Sequence, residues 1–341
     1  MNGRLIPLVI GLSFALEVAA LTSRLSHAVE PEQRIVRLGF VSPTSLSPRA
    51  TVPRAAGAER QDPFWIRLGE LGWVEGRNLI VDARSAEGHY DRLPALMTEL
   101  VDRKVDVLVT FSTPAGIAAK NATSTVPIVD AAMFDPVRDG LVASLAHPGG
   151  NLTGMSWAWS EGFGGKFLEL LQETVPRLST VALITNPRNP GERGVVKEVA
   201  AAAEARHLKL VVIPLRDPNS VQPALQQARR TGQALLAIGD PVFFEHRKEI
   251  ISFARQYRLP ALYGLRDFVE AGGLMSYGLD QKAIWRRAAE YVDKILRGAK
   301  PEELPVEQPT QYLLTVNTGV AKALGITIPE SILLRADEVI R

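Results

Sequence analysis

Polar side chains follow several apolar runs of this chain, at the points where predicted strands end. Ser112 and Thr113 follow one such run. Asn186 and Asp240 follow two later runs, and Ser42 ends the first. In open α/β sheets, ligands bind beside the carboxyl ends of the strands. These residues are therefore the first candidates for contacts with a small molecule.

Ser112 and Thr113 stand directly before Pro114, a residue that favours the first turn of a helix. The unpaired N–H groups of a helix N-terminus, together with the helix dipole, attract anions. The pattern therefore predicts capture of a ligand carboxylate. The alternative is an ordinary helix cap, a role that Ser and Thr often fill.

Three acidic or amide side chains stand next to prolines in short loops. Asp135 could accept a charge-assisted hydrogen bond from a ligand ammonium, or it could stabilise a turn. Asn186 and Asp240 each precede a proline, which pushes them out of helical geometry. Each is either a ligand contact or a turn residue.

Aromatic side chains near the same strand ends suit an amphipathic ligand, because each offers an apolar face and, in Tyr and Trp, a polar tip. The candidates are Tyr263, Tyr277 and Trp157, with Trp159 beside the last. Packing between lobes or at a hinge is the alternative for each of them. Phe40 is a candidate for the floor of the cleft or for the core.

Catalytic patterns are absent from the sequence. There are no cysteines, and the 5 histidines show no metal-ligand spacing. Residues Gly273–Gly278 read G-x-x-S-x-G, which is not the G-x-S-x-G elbow of a hydrolase. The charged run Glu245–Glu249 is typical of a solvated helix face. We expect a protein that is not an enzyme and needs no cofactor and no metal.

Length and composition favour a globular protein of two domains. The chain has 341 residues, of which 46% are hydrophobic and 22% charged. The net charge is +2, and no basic stripe is interleaved with aromatic residues. Nucleic-acid binding is therefore not expected.

Residues 1–28 have the pattern of a secretory signal peptide. Arg4 precedes the apolar stretch Leu5–Leu16, which is shorter than the roughly 20 residues that span a bilayer. Small residues around Ala28 suit cleavage by a signal peptidase. The sequence predicts export to the periplasm, with an uncleaved anchor or a misplaced start codon as the alternatives.

Strand-like and helix-like segments alternate from residue 34 to the end, which predicts parallel sheets covered by helices on both faces. We predict the α/β fold class, with two Rossmann-like lobes. A loop rich in Pro, Arg and Ala occupies residues 44–57. We predict a helix over 141–146 and one helix over 242–257, with a strand at 311–316 and a helix at 317–324 closing the chain.

Several longer segments together resemble one protein family, and an example is residues 141–154, which read Leu-Val-Ala-Ser-Leu-Ala-His-Pro-Gly-Gly-Asn-Leu-Thr-Gly. The other segments are 71–78, 87–96, 135–137, 240–244, 262–264, 268–278, 299–310, 321–329 and 334–338. The chain resembles the ABC transporter substrate-binding proteins of the tryptophan/tyrosine type over nearly all of residues 34–341. The resemblance implies a type I periplasmic-binding fold, with ligand enclosed between two lobes.

From this resemblance we expect an N-terminal lobe of residues 34–156 plus part of 277–310, and a C-terminal lobe of 157–276 plus part of 311–341. The expected ligand is an amino acid or a related aromatic or branched compound. The expected partner is an ABC permease in the membrane, and the protein is expected to be a monomer. The alternative is a ligand sensor without transport, which binds a sugar, nucleoside or aromatic acid.

Overall fold

The structure is a computed structural model, and it describes residues 34–45, 62–157, 162–309 and 311–341. The predicted signal peptide, most of the 44–57 loop and Trp159 lie outside these residues. Within the described part of the chain, no helix is both long enough and apolar enough to cross a membrane.

The first sheet has five strands in the order β2-β1-β3-β4-β5, and all neighbouring strands are parallel. Its central strands are almost entirely buried, as expected for strands with helices on both faces. The strands are β1 (Val36–Ser42), β2 (Leu79–Ser85), β3 (Val107–Thr110), β4 (Ile128–Met133) and β5 (Leu152–Ser156).

The second sheet has seven strands in the order β12-β11-β10-β9-β8-β6-β7. Its strands run parallel except for the antiparallel pair of β10 and β11. The strands are β6 (Thr180–Thr185), β7 (Lys209–Pro214), β8 (Ala234–Ala237), β9 (Ala261–Tyr263), β10 (Met275–Leu279), β11 (Tyr312–Asn317) and β12 (Glu338–Ile340).

Twelve α-helices connect the strands of the described residues. Those of the first half are α1 (Pro63–Glu70), α2 (Leu93–Asp102), α3 (Thr113–Ala122), α4 (Phe163–Thr174), α5 (Glu192–Ala205) and α6 (Val221–Thr231). Those of the second half are α7 (Pro241–Glu245), α8 (Arg247–Gln256), α9 (Arg266–Glu270), α10 (Gln281–Leu296), α11 (Thr318–Leu324) and α12 (Glu330–Arg335).

The chain passes between the two sheets three times: after β5, after β10 and before β11. Helix α10 follows a strand of the second sheet but packs on α1 and β4, beside the first. Glu307 then pairs with β5, since its N–H donates to the Gly154 carbonyl over 3.0 Å. We call the first sheet with α1–α3 and α10 the first lobe, and the second sheet with the other helices the second lobe.

Three predictions of local structure are wrong. Residues 141–146 form an irregular loop rather than a helix, because the N–H of Ala143 donates to the carbonyl of Pro148 and makes a turn. The predicted helix 242–257 is two helices, α7 and α8, which meet at His246. The chain also continues past α11 into α12 and β12, where β12 extends the sheet beside β11.

Candidate ligand-binding site

A cleft of 780 Å³ lies between the two lobes. Both lobes and two of the crossing segments contribute to its lining, and Leu313 of β11 lies next to the third crossing. A bound molecule would therefore touch both lobes at once. Its lining includes Phe40, Ser42, Phe111 and Ser112 of the first lobe, Gly239, Asp240, Glu245 and Arg247 of the second, and Trp157, Asp280, Trp285 and Leu313 at or next to the crossings.

Five aromatic side chains form one wall of the cleft. The ring of Phe111 meets that of Trp285 edge-on at 5.1 Å, and the ring of Phe40 lies 5.5 Å from that of Trp65. Phe64 completes the group, with its ring 5.9 Å from Trp285. This aromatic wall presents a large apolar surface with ring edges and faces, which suits an aromatic or bulky apolar ligand.

Asp240 accepts hydrogen bonds from both lobes. It lies at the N-cap of α7, where its carboxylate accepts from the N–H of Val242 over 2.9 Å. The amide nitrogens of Asn186 and Asn189 donate to it over 3.1 and 2.9 Å. The hydroxyl of Tyr90, from the first lobe, donates over 3.1 Å. Asp240 therefore joins the two lobes directly.

Burial controls the protonation of this cluster. It raises the pKa of Tyr90 well above its ordinary value, so that the phenol remains a donor. Burial also raises the pKa of Asp240, and that of Glu192 still more because the Asp240 charge lies nearby. Asp240 has four donors and Glu192 has two, namely Thr185 and the N–H of Asn186. We therefore assign the proton of this carboxyl pair to Glu192.

Further contacts also connect the two lobes. The Ser45 hydroxyl donates to Glu245, and the guanidinium of Arg138 lies 3.5 Å from the carbonyl of Gly191. Gly191 packs so closely against the first lobe that a Cβ added there would lie 2.6 Å from the Thr113 hydroxyl oxygen. The structure therefore has the lobes in a closed arrangement.

Four of the nine residues predicted to bind ligand line the cleft: Ser42, Ser112, Asp240 and Trp157. Ser112 has a φ of +117°, and its side chain caps α3 by accepting from the N–H of Ala115 over 3.4 Å. The hydroxyl hydrogen is not used by that cap, so it can still be donated to a ligand. Ligand contact by these residues stays a prediction.

The other five predicted residues lie outside the lining. The Thr113 hydroxyl accepts from the N–H of Phe134 over 3.1 Å, and Asn186 supports Asp240 from behind. Asp135 is half exposed and accepts from the N–H of Arg138 in its own turn. Tyr263 stacks on Phe268, with ring centres 4.6 Å apart, and Tyr277 stacks on Phe163 at 5.2 Å.

Sequence reasoning missed most of the aromatic wall and two charged residues of the lining. Phe64 and Trp65 lie in the first turn of α1, where Asp62-Pro63 is a sequence signal for a helix start, and Trp285 lies in the second turn of α10. Glu245 and Arg247 were predicted to lie on a solvated face, but both line the cleft because the chain turns at His246. No three described His, Asp or Glu residues group as metal ligands.

Asp130 lies behind Ser112 and holds the backbone of that turn. One carboxylate oxygen accepts from the N–H groups of Ser112 and Ala132, over 3.3 and 2.9 Å. The other oxygen has no partner among the described residues. Burial raises the pKa of Asp130 to about 7, from an ordinary value near 3.8. The folded protein therefore holds this proton more tightly than the unfolded chain does.

Because of this proton, stability should fall as the pH rises from about 4 to about 7. Asp130→Asn keeps one oxygen for both N–H groups and has no proton to lose. Between about pH 5 and pH 8, we expect the wild type to lose roughly 2 kcal/mol more unfolding free energy than the variant. Urea unfolding at both pH values measures this, with the exposed Asp102→Asn as control. Equal pH slopes for wild type and variant would contradict it.

Comparison of the whole chain with known proteins shows which protein family it resembles. The family model described as ABC transporter substrate binding protein matches residues 59–340. A protein named tyrosine-binding protein, from Clostridioides difficile (strain R20291), is 26% identical over 259 residues, which are 76% of this chain and 74% of that protein.

Two solved structures share the fold over most of the chain. A conserved domain protein of Vibrio cholerae is 29% identical with a TM-score of 0.80, and the match covers 90% of this chain and 100% of that one. An ABC domain of Streptococcus pneumoniae in complex with L-Trp is 25% identical with a TM-score of 0.78, at the same coverage. These neighbours confirm the two-lobed α/β fold. The chain thus belongs to the ABC transporter substrate-binding protein family, which consists of binding proteins and not of enzymes.

Proposed function

We propose that this protein captures an amino acid with an aromatic or branched side chain and delivers it to an ABC permease. The cleft carries the proposal, because it sets an aromatic wall opposite polar groups of the second lobe. The relatives named for tyrosine binding and for an L-Trp complex support this ligand class. Export through the predicted signal peptide would place the protein in the periplasm.

Closure of two lobes is the proposed mechanism. The two bodies that move are the lobes predicted from the sequence, namely 34–156 plus part of 277–310 and 157–276 plus part of 311–341. The three crossings between them serve as the hinge. A ligand in the cleft touches both lobes only when they are closed, so binding shifts the population toward the closed state. Tyr90 and Asp240 support that state through their hydrogen bond.

Ligand-dependent thermal stability of residues 29–341 tests the proposed ligand class. A ligand at about 100 times its dissociation constant stabilises the folded state by roughly 2.7 kcal/mol. We expect the melting temperature to rise by a few degrees with aromatic or branched amino acids, and Trp285→Ala should remove the rise. Trp73→Ala is the control, because Trp73 binds Asp293 and does not line the cleft. A rise only with sugars or nucleosides would overturn the ligand class.

A further inference from the structure

Two buried carboxyl groups lie side by side at the interface between the lobes. Asp240 is 2% exposed and Glu192 is 6% exposed, and a side-chain hydrogen bond joins the two. Among the described residues, no cation forms an ion pair with either carboxyl. Two adjacent carboxylates in a buried site repel each other and lack hydration, so they cannot both be ionised. This carboxyl pair therefore holds one proton.

The hydrogen bonds of Glu192 leave one oxygen for this proton. Its Oε2 atom accepts from the Thr185 hydroxyl over 2.6 Å and from the N–H of Asn186 over 2.7 Å. Its Oε1 atom is buried and has no donor among the described residues. Buried polar atoms in native proteins nearly always have a hydrogen-bond partner. A proton on Oε1 that is donated to Asp240 supplies the missing partner, in a charge-assisted bond between the two carboxyls.

The closed arrangement of the lobes buries the carboxyl pair. Asp240 lines the cleft, and the Tyr90 hydroxyl of the first lobe covers it, donating over 3.1 Å. Glu192 directly follows Gly191, where an added Cβ would lie 2.6 Å from the Thr113 hydroxyl oxygen of the first lobe. Both carboxyls belong to the second lobe, so separation of the lobes removes this cover and admits water. Hydration favours the charged form of each carboxyl, and the open protein therefore releases the proton.

Apart from Tyr90, the titratable and charged side chains around this part of the interface form no hydrogen bond or ion pair with the carboxyl pair among the described residues. They are His89, Asp91 and Asp139 of the first lobe and Arg188, Arg193 and Glu245 of the second. Arg188 lies 3.7 Å from Asp91, and the charge of Arg193 acts on Asp139. Glu245 accepts from the Ser45 hydroxyl at the other end of α7. None of these groups neutralises the pair, so each can be replaced separately as a control.

We propose that closure of the lobes takes up one proton from the solvent, which Glu192 holds and donates to Asp240, and that opening returns it. The inference rests on the proposed function for the movement of the lobes, but not on the identity of the ligand. The pKa of the pair is higher in the closed state than in the open state. The proton therefore stabilises closure fully below the open-state pKa and no longer above the closed-state pKa. Between the two values, the ratio of closed to open protein falls by up to about 10-fold for each pH unit. Rising pH should thus open the protein and weaken ligand binding.

Small-angle scattering of the unliganded protein from about pH 6 to about pH 9 tests the proposal without a ligand. The wild type should expand as the pH rises. Glu192→Gln should keep its compact size, because the glutamine amide donates to Asp240 at every pH. Circular dichroism checks that both proteins are folded. A wild type of constant size, or a variant that expands equally, would overturn the proposal.

Titration calorimetry with L-tryptophan gives a second readout on the wild type itself. Binding heats measured in phosphate and in Tris buffer count the protons that are taken up on binding. Above about pH 6, the wild type should take up about one proton per ligand, and Glu192→Gln should take up none. Binding to the wild type without proton uptake would overturn the proposal.

Three control variants remove other titratable groups and should keep the proton uptake of the wild type: His89→Gln, Asp130→Asn and Glu245→Gln. Loss of the uptake in one of these controls would assign the proton to another group and overturn the proposal. If L-tryptophan does not bind, while the wild type expands with pH and Glu192→Gln does not, the proton uptake stands and the proposed amino-acid ligand is overturned instead.

Discussion

Replacing Gly191 with alanine is expected to weaken ligand binding roughly 5- to 150-fold while both lobes stay folded. The added Cβ would lie 2.6 Å from the Thr113 hydroxyl oxygen and 2.7 Å from the Phe134 ring, both on the opposite lobe. The backbone of Gly191 has φ −60° and ψ −30°, which alanine adopts without strain. The methyl group therefore opposes closure rather than folding. Titration calorimetry with L-tryptophan measures the loss of affinity.

Gly165→Ala is the matched control for the added methyl group. Gly165 lies in α4 with no atom within 4 Å of the added Cβ. It should bind ligand as the wild type does and be slightly more stable, because alanine favours helix. Small-angle scattering gives a second readout: ligand should compact the wild type and the control more than Gly191→Ala. Wild-type affinity in Gly191→Ala would show that closure does not require this close approach.

Asp240→Ala should lower the free energy of unfolding by about 3–5 kcal/mol, the largest loss of stability that we expect from one substitution. The change leaves Tyr90, Asn186 and Asn189 with buried donors and no acceptor, and it also removes the cap of α7. Each unpaired buried donor costs about 1–3 kcal/mol. Urea unfolding followed by circular dichroism measures the loss.

Asp280→Ala is the control that distinguishes the loss of the buried hydrogen-bond cluster from the loss of a helix cap alone. Asp280 also caps a helix, α10, through the N–H groups of Lys282 and Ala283, but it is partly exposed and hydrogen-bonds to no side chain among the described residues. Its loss should cost about 1 kcal/mol. Tyr90→Phe should also lower the free energy of unfolding by about 1 kcal/mol, because it removes only the hydrogen bond to Asp240. An Asp240→Ala loss no larger than these would show that the cluster contributes little to stability.

Much of the fold was accessible from the sequence because its signals are local. The strand predicted at residues 311–316 is Tyr312–Asn317, and the helix predicted at 317–324 is Thr318–Leu324. In both segments, the positions that become buried can be recognised from the spacing of apolar residues within a short stretch of sequence. The helix predicted at 141–146 does not form, also for a local reason. The N–H groups of Ala143 and Ser144 donate to the carbonyls of Pro148 and His147 in the turn that follows, rather than to a preceding helical turn.

The site was less accessible, because a position at a strand end does not say which way the side chain points. Ser112 lines the cleft, whereas its neighbour Thr113 points back to the N–H of Phe134. Asp240 reaches the cleft, whereas Asn186, at an equivalent strand end, binds Asp240 from behind. Ser112 is the N-cap of α3 and Thr113 is its first residue, so the backbone changes direction between them and an uncertainty of one residue changes which side chain faces the cleft.

The sequence by itself determined the α/β class, the family, the binding rather than catalytic character and the strand ends at which the cleft forms. Periodicity, composition and motif suffice for these because each is read within a short window. Only the tertiary structure decided that Trp285 joins Phe40 and Phe111 in one wall, and that Tyr90 meets Asp240 across the cleft. Such pairs are more than a hundred residues apart, and they meet only because the crossing segments and the packing of α10 bring the two lobes together.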